Sequence, residues 1–353
     1  MTINPQIKSD LNYIHKNFDK KKIFKNKNVL ITGYNGFIGY ELSKYLIYFK
    51  KKLKINFLYL TDIKFKKKRF EDKKIILKKF DVIQENLENI VNKKIHIIIH
   101  AASIASPKLY RKNPIQTIES NVVGLTKLLK YSYKKKIDRL LYFSSSEIYG
   151  SPDKKNIPTK EDYNGNVSTT GPRACYDESK RFCETLCSIY NTNYGSPVRV
   201  VRPFNNYGPG MKLEDGRLPA DIAKNILKNR DIIIHSDGTP TRTFCYIADA
   251  IVGYLKVLSF NKFEIFNVGN DKGEINVKNF SKIFLDIYKK KFNIKNKSKI
   301  KFKKSSEKNY LKDNPYRRCP NIYKAKKLLN FKPKINLREG LHNYLNFLKY
   351  NNE

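Results

Sequence analysis

Tyr176 and Lys180 stand four residues apart in the stretch Gly171-Pro172-Arg173-Ala174-Cys175-Tyr176-Asp177-Glu178-Ser179-Lys180-Arg181. At this spacing on a helix two side chains share one face, so a phenol and an ammonium can address a single site. A positive charge beside a phenol favours the phenolate and makes it a usable base near neutral pH. The same spacing is common on solvated helix surfaces. The pair therefore takes its meaning from the elements that position it.

The first of these elements is Asn28-Val-Leu-Ile-Thr-Gly33-Tyr-Asn35-Gly36-Phe37-Ile38-Gly39, an apolar strand running through a glycine-rich turn into a helical pattern. In a dinucleotide-binding unit the three glycines permit the tight turn, the approach of a pyrophosphate and the packing of helix on strand. The helix N-terminus adds free N–H groups and partial positive charge for the phosphates. The next strand, Ile55 to Asp62, ends in an acid where the adenosine ribose is held. A carboxylate at Asp62 repels a 2′-phosphate and favours NAD. Lys64, Lys66, Lys67, Lys68 and Arg69 just beyond it keep NADP as the alternative.

Composition narrows the class. The chain has 353 residues, 40% of them hydrophobic, enough for one large domain or two smaller ones. No run approaches the roughly 20 apolar residues that span a bilayer, and residues 1–22 carry no secretory signal pattern. Neither a membrane nor a secreted location is expected. The five cysteines include no Cys-x-x-Cys pair, which argues against a metal ribbon and for a reducing, cytoplasmic setting. The formal net charge of +39 tempts a nucleic-acid reading. However, 58 lysines outnumber 13 arginines and are scattered along the chain. Phosphate readers gather arginine, whose fork fits phosphate bidentately. A solvated lysine-rich surface accounts for the charge, and no specific nucleic-acid partner is expected.

Along the chain, residues 1–25 read as a helical extension with Ile7, Leu11, Ile14 and Phe18 in one apolar stripe, packing on the main domain or across a subunit interface. Lys78-Lys-Phe-Asp81-Val82 closes a third strand. Ile97-Ile-Ile-His-Ala101-Ala102-Ser103 is a buried fourth strand ending in small residues. Asn121 falls on the helix that follows. Arg139-Leu-Leu-Tyr-Phe-Ser144-Ser145-Ser146-Glu147 forms a fifth strand with a polar end.

The G-x-x-G-x-x-G spacing and these strand ends resemble the extended short-chain dehydrogenase/reductase family of NAD-dependent epimerases and dehydratases. That family places a catalytic Tyr-x-x-x-Lys about thirty residues after the fifth strand, where Tyr176 and Lys180 stand. Within it, His100 to Pro114, Ser145-Ser146-Glu147 and Gly171 to Arg181 are similar to segments of the UDP-glucuronic acid decarboxylases, with Ser179 the visible difference in the last. Ile104 and Lys108 stand where those enzymes carry proline, Gly210 where they carry arginine, and Ser145 where they carry threonine.

The resemblance implies an α/β fold, a Rossmann-type doubly wound parallel sheet with a smaller C-terminal α/β substrate-binding domain. It places the NAD-binding domain at 26–200, with a strand and helix from about 240–270 returning to it, and nucleotide-sugar binding mainly at 201–345. NAD would be held by Gly33, Asn35, Gly36, Phe37, Ile38, Gly39, Asp62, Asp81, Val82, Ala101, Ala102, Ser103, Asn121 and Ser144, together with Tyr176 and Lys180. The sugar nucleotide, a UDP-sugar, would be held by Ser106, Pro107, Tyr110, Ser146, Glu147, Arg173, Asn205, Arg242, Arg317 and Arg318. Three of these arginines, Arg242, Arg317 and Arg318, lie in matching segments of a lysine-preferring chain, which points to the diphosphate.

The implied chemistry is a redox cycle closed on one bound NAD. Tyr176, held as phenolate by Lys180, takes the O4 proton during oxidation at C4, and Ser145 holds O4. The 4-ketone then loses carbon dioxide from C6, and reduction gives UDP-xylose. Glu147 would orient or distort the ring, or position the water that protonates C5. A 4-epimerase, 4-dehydrogenase or 4,6-dehydratase on the same scaffold is the alternative. The family also implies a homodimer through a helix pair, with Phe182, Leu186 and Ile189 as candidate interface residues. No metal is implied.

Overall fold

The computed structural model describes residues 4–64, 70–306 and 311–350, so Lys66, Lys67, Lys68 and Arg69 lie outside the described residues. Through the first half of the chain the strands are β1 (Val29–Thr32), β2 (Leu58–Asp62), β3 (Ile75–Lys79), β4 (Ile97–His100), β5 (Arg139–Phe143) and β6 (Val198–Pro203). The helices there are α1 (Pro5–Asn17), α2 (Phe37–Tyr48), α3 (Lys50–Leu53), α4 (Pro107–Lys112), α5 (Pro114–Lys134) and α6 (Ala174–Tyr194). Later come the strands β7 (Asn206–Tyr207), β8 (Ile232–Ile234), β9 (Thr241–Arg242), β10 (Cys245–Tyr246), β11 (Ile265–Val268), β12 (Ile275–Asn276), β13 (Ile300–Phe302) and β14 (Arg317–Arg318). With them run α7 (Leu218–Leu227), α8 (Ile247–Ser259), α9 (Val277–Lys291), α10 (Tyr323–Leu329) and α11 (Leu337–Tyr350).

Seven strands form one parallel sheet in the order β11-β6-β5-β4-β1-β2-β3. Its strands read as continuous apolar runs because helices cover both faces. Alternation divides each run between two cores: Val29, Ile31, Ile97 and Ile99 face one, and Leu30, Ile98, Leu140 and Tyr142 face the other. The strand order reverses between β1 and β4. Such a reversal opens a crevice outside the carboxyl ends of the strands, where doubly wound sheets bind their ligands. The expected α/β fold is present. The short pairs β8 with β13 and β7 with β10, and the β12-β9-β14 sheet, build the smaller C-terminal layer against α7, α9 and α11.

The N-terminal helix packs on the chain's own main domain. Asn4 caps it, and Leu11, Ile14 and Phe18 enter the first core. Its polar side is tied as well: Asp10 Oδ2 accepts from the Tyr246 hydroxyl at 2.7 Å, and Tyr13 donates to Asp249 Oδ1 at 2.5 Å.

Candidate active site

The glycine turn and its neighbours lie at the carboxyl edge of the sheet. Gly33 has φ +71°, and a Cβ there would sit 2.6 Å from the Ala102 backbone, so only glycine fits. A Cβ on Gly39 would run into the Gly33 carbonyl oxygen. Gly36 differs, because a Cβ there would meet only the Gly33 oxygen at 3.3 Å. The protein leaves that side open, a cradle that a group from outside can fill, and this fits a dinucleotide phosphate. Phe37 and Ile38 open α2 directly behind it. Asp62 accepts the N–H groups of Asn35 and Lys64, each at 3.1 Å, which seats its carboxylate beside the turn. Asp81 Oδ1 accepts from the Ile83 N–H at 2.8 Å, and Val82 packs at Gly124 of α5. Ala101, Ala102 and Ser103 leave β4, and Ser103 donates to Asn121 Oδ1 at 2.7 Å.

At the end of β5, Ser144, Ser145 and Ser146 are buried. Ser145 Oγ accepts the Glu147 N–H at 3.2 Å and shares a hydrogen bond with Tyr176. Tyr176 and Lys180 project from one face of α6 and are 6% and 3% exposed. The Lys180 ammonium donates to the Phe143 carbonyl at 2.8 Å and lies 5.7 Å from the centre of the Tyr176 ring and 5.0 Å from that of Tyr142. On its other side the Tyr176 ring is stacked on Tyr110, with centroids 5.0 Å apart and planes 11° apart. Burial pushes the Tyr176 phenol up to about 12, with Ser145 pulling it back in part. Burial also pulls Lys180 down to about 8. Among the described residues the lysine hydrogen-bonds the β5 backbone and not the phenol hydroxyl, so it acts on the phenol through its nearby charge. A further positive charge beside the ring is needed to lower the phenol.

Glu147 is the centre of an arginine cluster. Arg318 grips both of its oxygens, with Nη2 to Oε2 at 2.5 Å and Nη1 to Oε1, and Arg173 reaches Oε2 through Nη2. Burial alone would raise this carboxyl, but the charges of Arg173 and Arg318 hold it ionised, at about 2. Arg242 points its guanidinium at the carbonyls of Tyr316 at 3.0 Å and Pro315 at 2.7 Å, and burial beside Arg318 lowers it to about 9.

Two residues expected to hold the sugar nucleotide have partners within the chain. Arg317 turns away from Glu147 into a bidentate pair with Glu274, at 2.8 and 2.7 Å. Asn205, at φ +40°, donates to the Thr243 carbonyl at 2.9 Å and holds its own loop. Ser106 donates to the Asp215 carbonyl at 2.7 Å, joining the loop before α4 to the one before α7, and Pro107 opens α4.

The departures from the decarboxylase pattern have structural counterparts. Ser179 donates to the Tyr176 carbonyl at 3.0 Å and accepts from the Asn121 amide at 2.8 Å. Gly210, at φ +84°, leaves no room for a side chain, because Glu41 of α2 fills the space.

Two residues were not anticipated. Arg217 pairs with Asp215 at 2.8 Å, lies 5.6 Å from the centre of the Phe37 ring and faces the Tyr176 phenol. As a further arginine in a lysine-rich chain, it carried the signal that marked Arg242. Asp177, next to Tyr176, is buried against Arg173.

The chain matches a known family and is similar to named proteins in sequence and in fold. Residues 29–269 match the model of the NAD dependent epimerase/dehydratase family. UDP-glucuronic acid decarboxylase 6 of Arabidopsis thaliana is 34% identical over 317 residues, 90% of this chain and 87% of that protein. UDP-glucuronic acid decarboxylase 1 of Xenopus tropicalis is 32% identical over 323 residues, 92% of this chain and 72% of that protein. Among solved structures, a UDP-glucose 4-epimerase from Thermotoga maritima superposes with a TM-score of 0.78 at 21% identity, covering 92% of this chain and 100% of its own, and so shares the fold.

Proposed function

The chain belongs to the NAD-dependent epimerase/dehydratase family, and we propose that it decarboxylates UDP-glucuronate to UDP-xylose through a transient 4-keto sugar. The observation that carries this reading is the meeting of Tyr176, Ser145 and an ionised Glu147 at one point of the sheet edge. NAD, when bound, supplies the acceptor and returning donor of the C4 hydride and the positive charge of its oxidised ring. Gly33, Asn35, Gly36, Phe37, Ile38 and Gly39 would hold its phosphates, Asp62 the adenosine ribose, and Asp81 and Val82 the adenine. Ala101, Ala102, Ser103, Asn121 and Ser144 would line the rest of its path.

Ser145 Oγ holds the sugar O4, and Tyr176 takes the O4 proton and later returns it. A ketone at C4 makes the C6 carboxylate that of a β-keto acid. The C5–C6 bond then breaks, carbon dioxide leaves, and the electron pair passes into an enolate over C4 and C5. A proton added at C5 restores the ketone. Glu147, held as a carboxylate by two guanidinium groups, does not give up a proton at neutral pH. It orients the ring or holds the water that protonates C5. Dehydration needs an acid beside the C6 hydroxyl, and an ionised Glu147 is poorly suited to that task, which favours decarboxylation. Arg242 and Arg318 supply positive charge for the diphosphate and the sugar carboxylate.

We divide the chain into an NAD-binding part at 26–200, with residues of about 240–270 joined to it, and a nucleotide-sugar part at 201–345. We further propose a homodimer built on α5 and α6. Phe182 and Ile189 on α6 and Ile115, Ile118 and Val123 on α5 are exposed, while Leu186 packs on the chain's own second core. Among the described residues no helix is long and apolar enough to cross a membrane. Five free thiols support a cytoplasmic site of action. The test is product identification: UDP-glucuronate incubated with NAD and the protein gives UDP-xylose, and conversion only to an epimer or a deoxysugar contradicts the reading.

A further inference from the structure

Asp177 is buried at the edge of the site and has no part in the chemistry above. Its Oδ2 lies 3.4 Å from Arg173 Nε, and its Oδ1 is buried with no hydrogen-bond partner among the described residues. The same guanidinium reaches Glu147 through Nη2, and Arg318 closes on Glu147 from β14. Two carboxylates on separate elements therefore share one arginine.

An ionised carboxylate with an unpartnered buried oxygen costs far more than a neutral carboxyl in the same place. Burial and the Glu147 charge push the Asp177 carboxyl up to about 7, against the pull of Arg173 and Arg318. The other polar groups around it are Tyr110 of α4 and, on its own element, Cys175 and Tyr176, whose own ionisations burial raises. Arg242 acts on the cluster through Glu147 and Arg173. With Asp177 neutral, Arg173 belongs to Glu147, and three guanidinium groups face one carboxylate. With Asp177 ionised, the pull on Arg173 is divided and the cluster loses one unit of positive charge.

We propose that Asp177 is a positioning residue that competes with Glu147 for the Arg173 guanidinium and thereby sets the positive charge the site offers to its substrate. The inference rests on the reading of that substrate as an anionic nucleotide sugar. Ionisation of Asp177 loosens Arg173 from Glu147 and weakens the hold on the diphosphate.

The experiment is binding of UDP-glucose, whose diphosphate does not titrate near neutrality, to the NAD-loaded protein by calorimetry at pH 6 and pH 8.5. The native protein loses about tenfold in affinity across this interval, the effect of one partly screened charge. Asp177→Asn matches the native protein at pH 6 and loses several-fold less than it by pH 8.5, whereas Asp177→Glu keeps the native loss. Glu41, at about 7, and Lys180, at about 8, titrate in the same interval in every variant, so the difference between proteins isolates Asp177. A native protein with flat affinity, or an Asn variant that keeps the native loss, overturns the inference. Absence of binding of both UDP-glucose and UDP-glucuronate in all variants overturns the nucleotide-sugar reading and this inference with it. Carboxyl carbon resonances of ¹³C-aspartate in the native protein give a measure that needs no variant to fold: the absence of any aspartate titrating near pH 7 also overturns the inference.

Discussion

The Lys180 ammonium donates to the carbonyl oxygen of Phe143 at 2.8 Å, which ties α6 to the end of β5. The lysine is thereby fixed beside the Tyr176 ring without hydrogen-bonding its hydroxyl. Lys180→Met keeps the length of the side chain and removes the charge. It should lower kcat by about a hundredfold or more, in the range of a lost acid–base partner. Burial already disfavours the charged form of this lysine, so thermal unfolding should change by only about 1 kcal/mol. A variant that is fully active, or that fails chiefly by unfolding, would contradict the assignment.

Glu147 holds two buried guanidinium groups together, so Glu147→Gln leaves Arg318 without its counter-charge and Arg173 with Asp177 alone. Breaking a buried pair of this kind costs about 3–5 kcal/mol. The unfolding midpoint should fall clearly and carbon dioxide release should nearly cease. Retention of native stability would show that Arg173 and Arg318 have other partners.

Arg317 and Arg318 should behave oppositely despite being neighbours. The Arg317–Glu274 pair is partly exposed, and Arg317→Lys should cost no more than about 1 kcal/mol with little change in turnover. Arg318→Lys gives up the two-point grip on Glu147 and should lower kcat/KM at least about tenfold. Equal effects of the two substitutions in steady-state kinetics would contradict the geometry.

Stability should fall as pH rises through neutrality. Glu41 is pushed up to about 7 and Asp10 to about 6, both by burial. Each binds its proton more tightly in the folded chain than in the unfolded one, where acids titrate near 4. Their contribution is therefore complete below about pH 4 and is lost as pH rises through 6 and 7. Asp177, also near 7, adds to this fall, and His100, which burial holds neutral at about 3, opposes it below about pH 6.5. The unfolding midpoint should still drop between pH 5 and pH 8, and Glu41→Gln should reduce the drop. An unfolding midpoint that rises over this interval would contradict the prediction.

The exposed apolar side of α5 and α6 predicts self-association. Phe182 is 51% exposed and Ile115 66% exposed, on the two helices of the proposed interface. Phe182→Lys combined with Ile189→Lys should convert a dimer into a monomer in sedimentation while leaving the fold intact. A monomeric native protein would remove the proposal.

The parts of the site legible in the sequence are those set by local rules. The glycine turn, the acid that ends β2 and the Tyr176–Lys180 spacing each depend on a few adjacent residues and a helical or strand period. What was not legible depends on which groups meet across the fold. Arg317 and Arg318 are adjacent on β14, and successive strand residues face opposite sides. The sequence does not say which of the two faces Glu147. Asp177 stood in view beside Tyr176, but its burial against Arg173 follows from how α6 begins under Glu147. Likewise, the i, i+4 spacing put Lys180 on the Tyr176 face, whereas the Phe143 carbonyl that takes its hydrogen bond comes from β5.

The central claim is that the site removes the C6 carboxylate of a nucleotide sugar. UDP-glucuronate labelled with ¹³C at C6, given to the NAD-loaded protein, measures this directly. Labelled carbon dioxide should be released one-for-one with UDP-xylose, with no net reduction of NAD and no release by Tyr176→Phe. Label that stays in the sugar while the substrate is epimerised or left unchanged would contradict it.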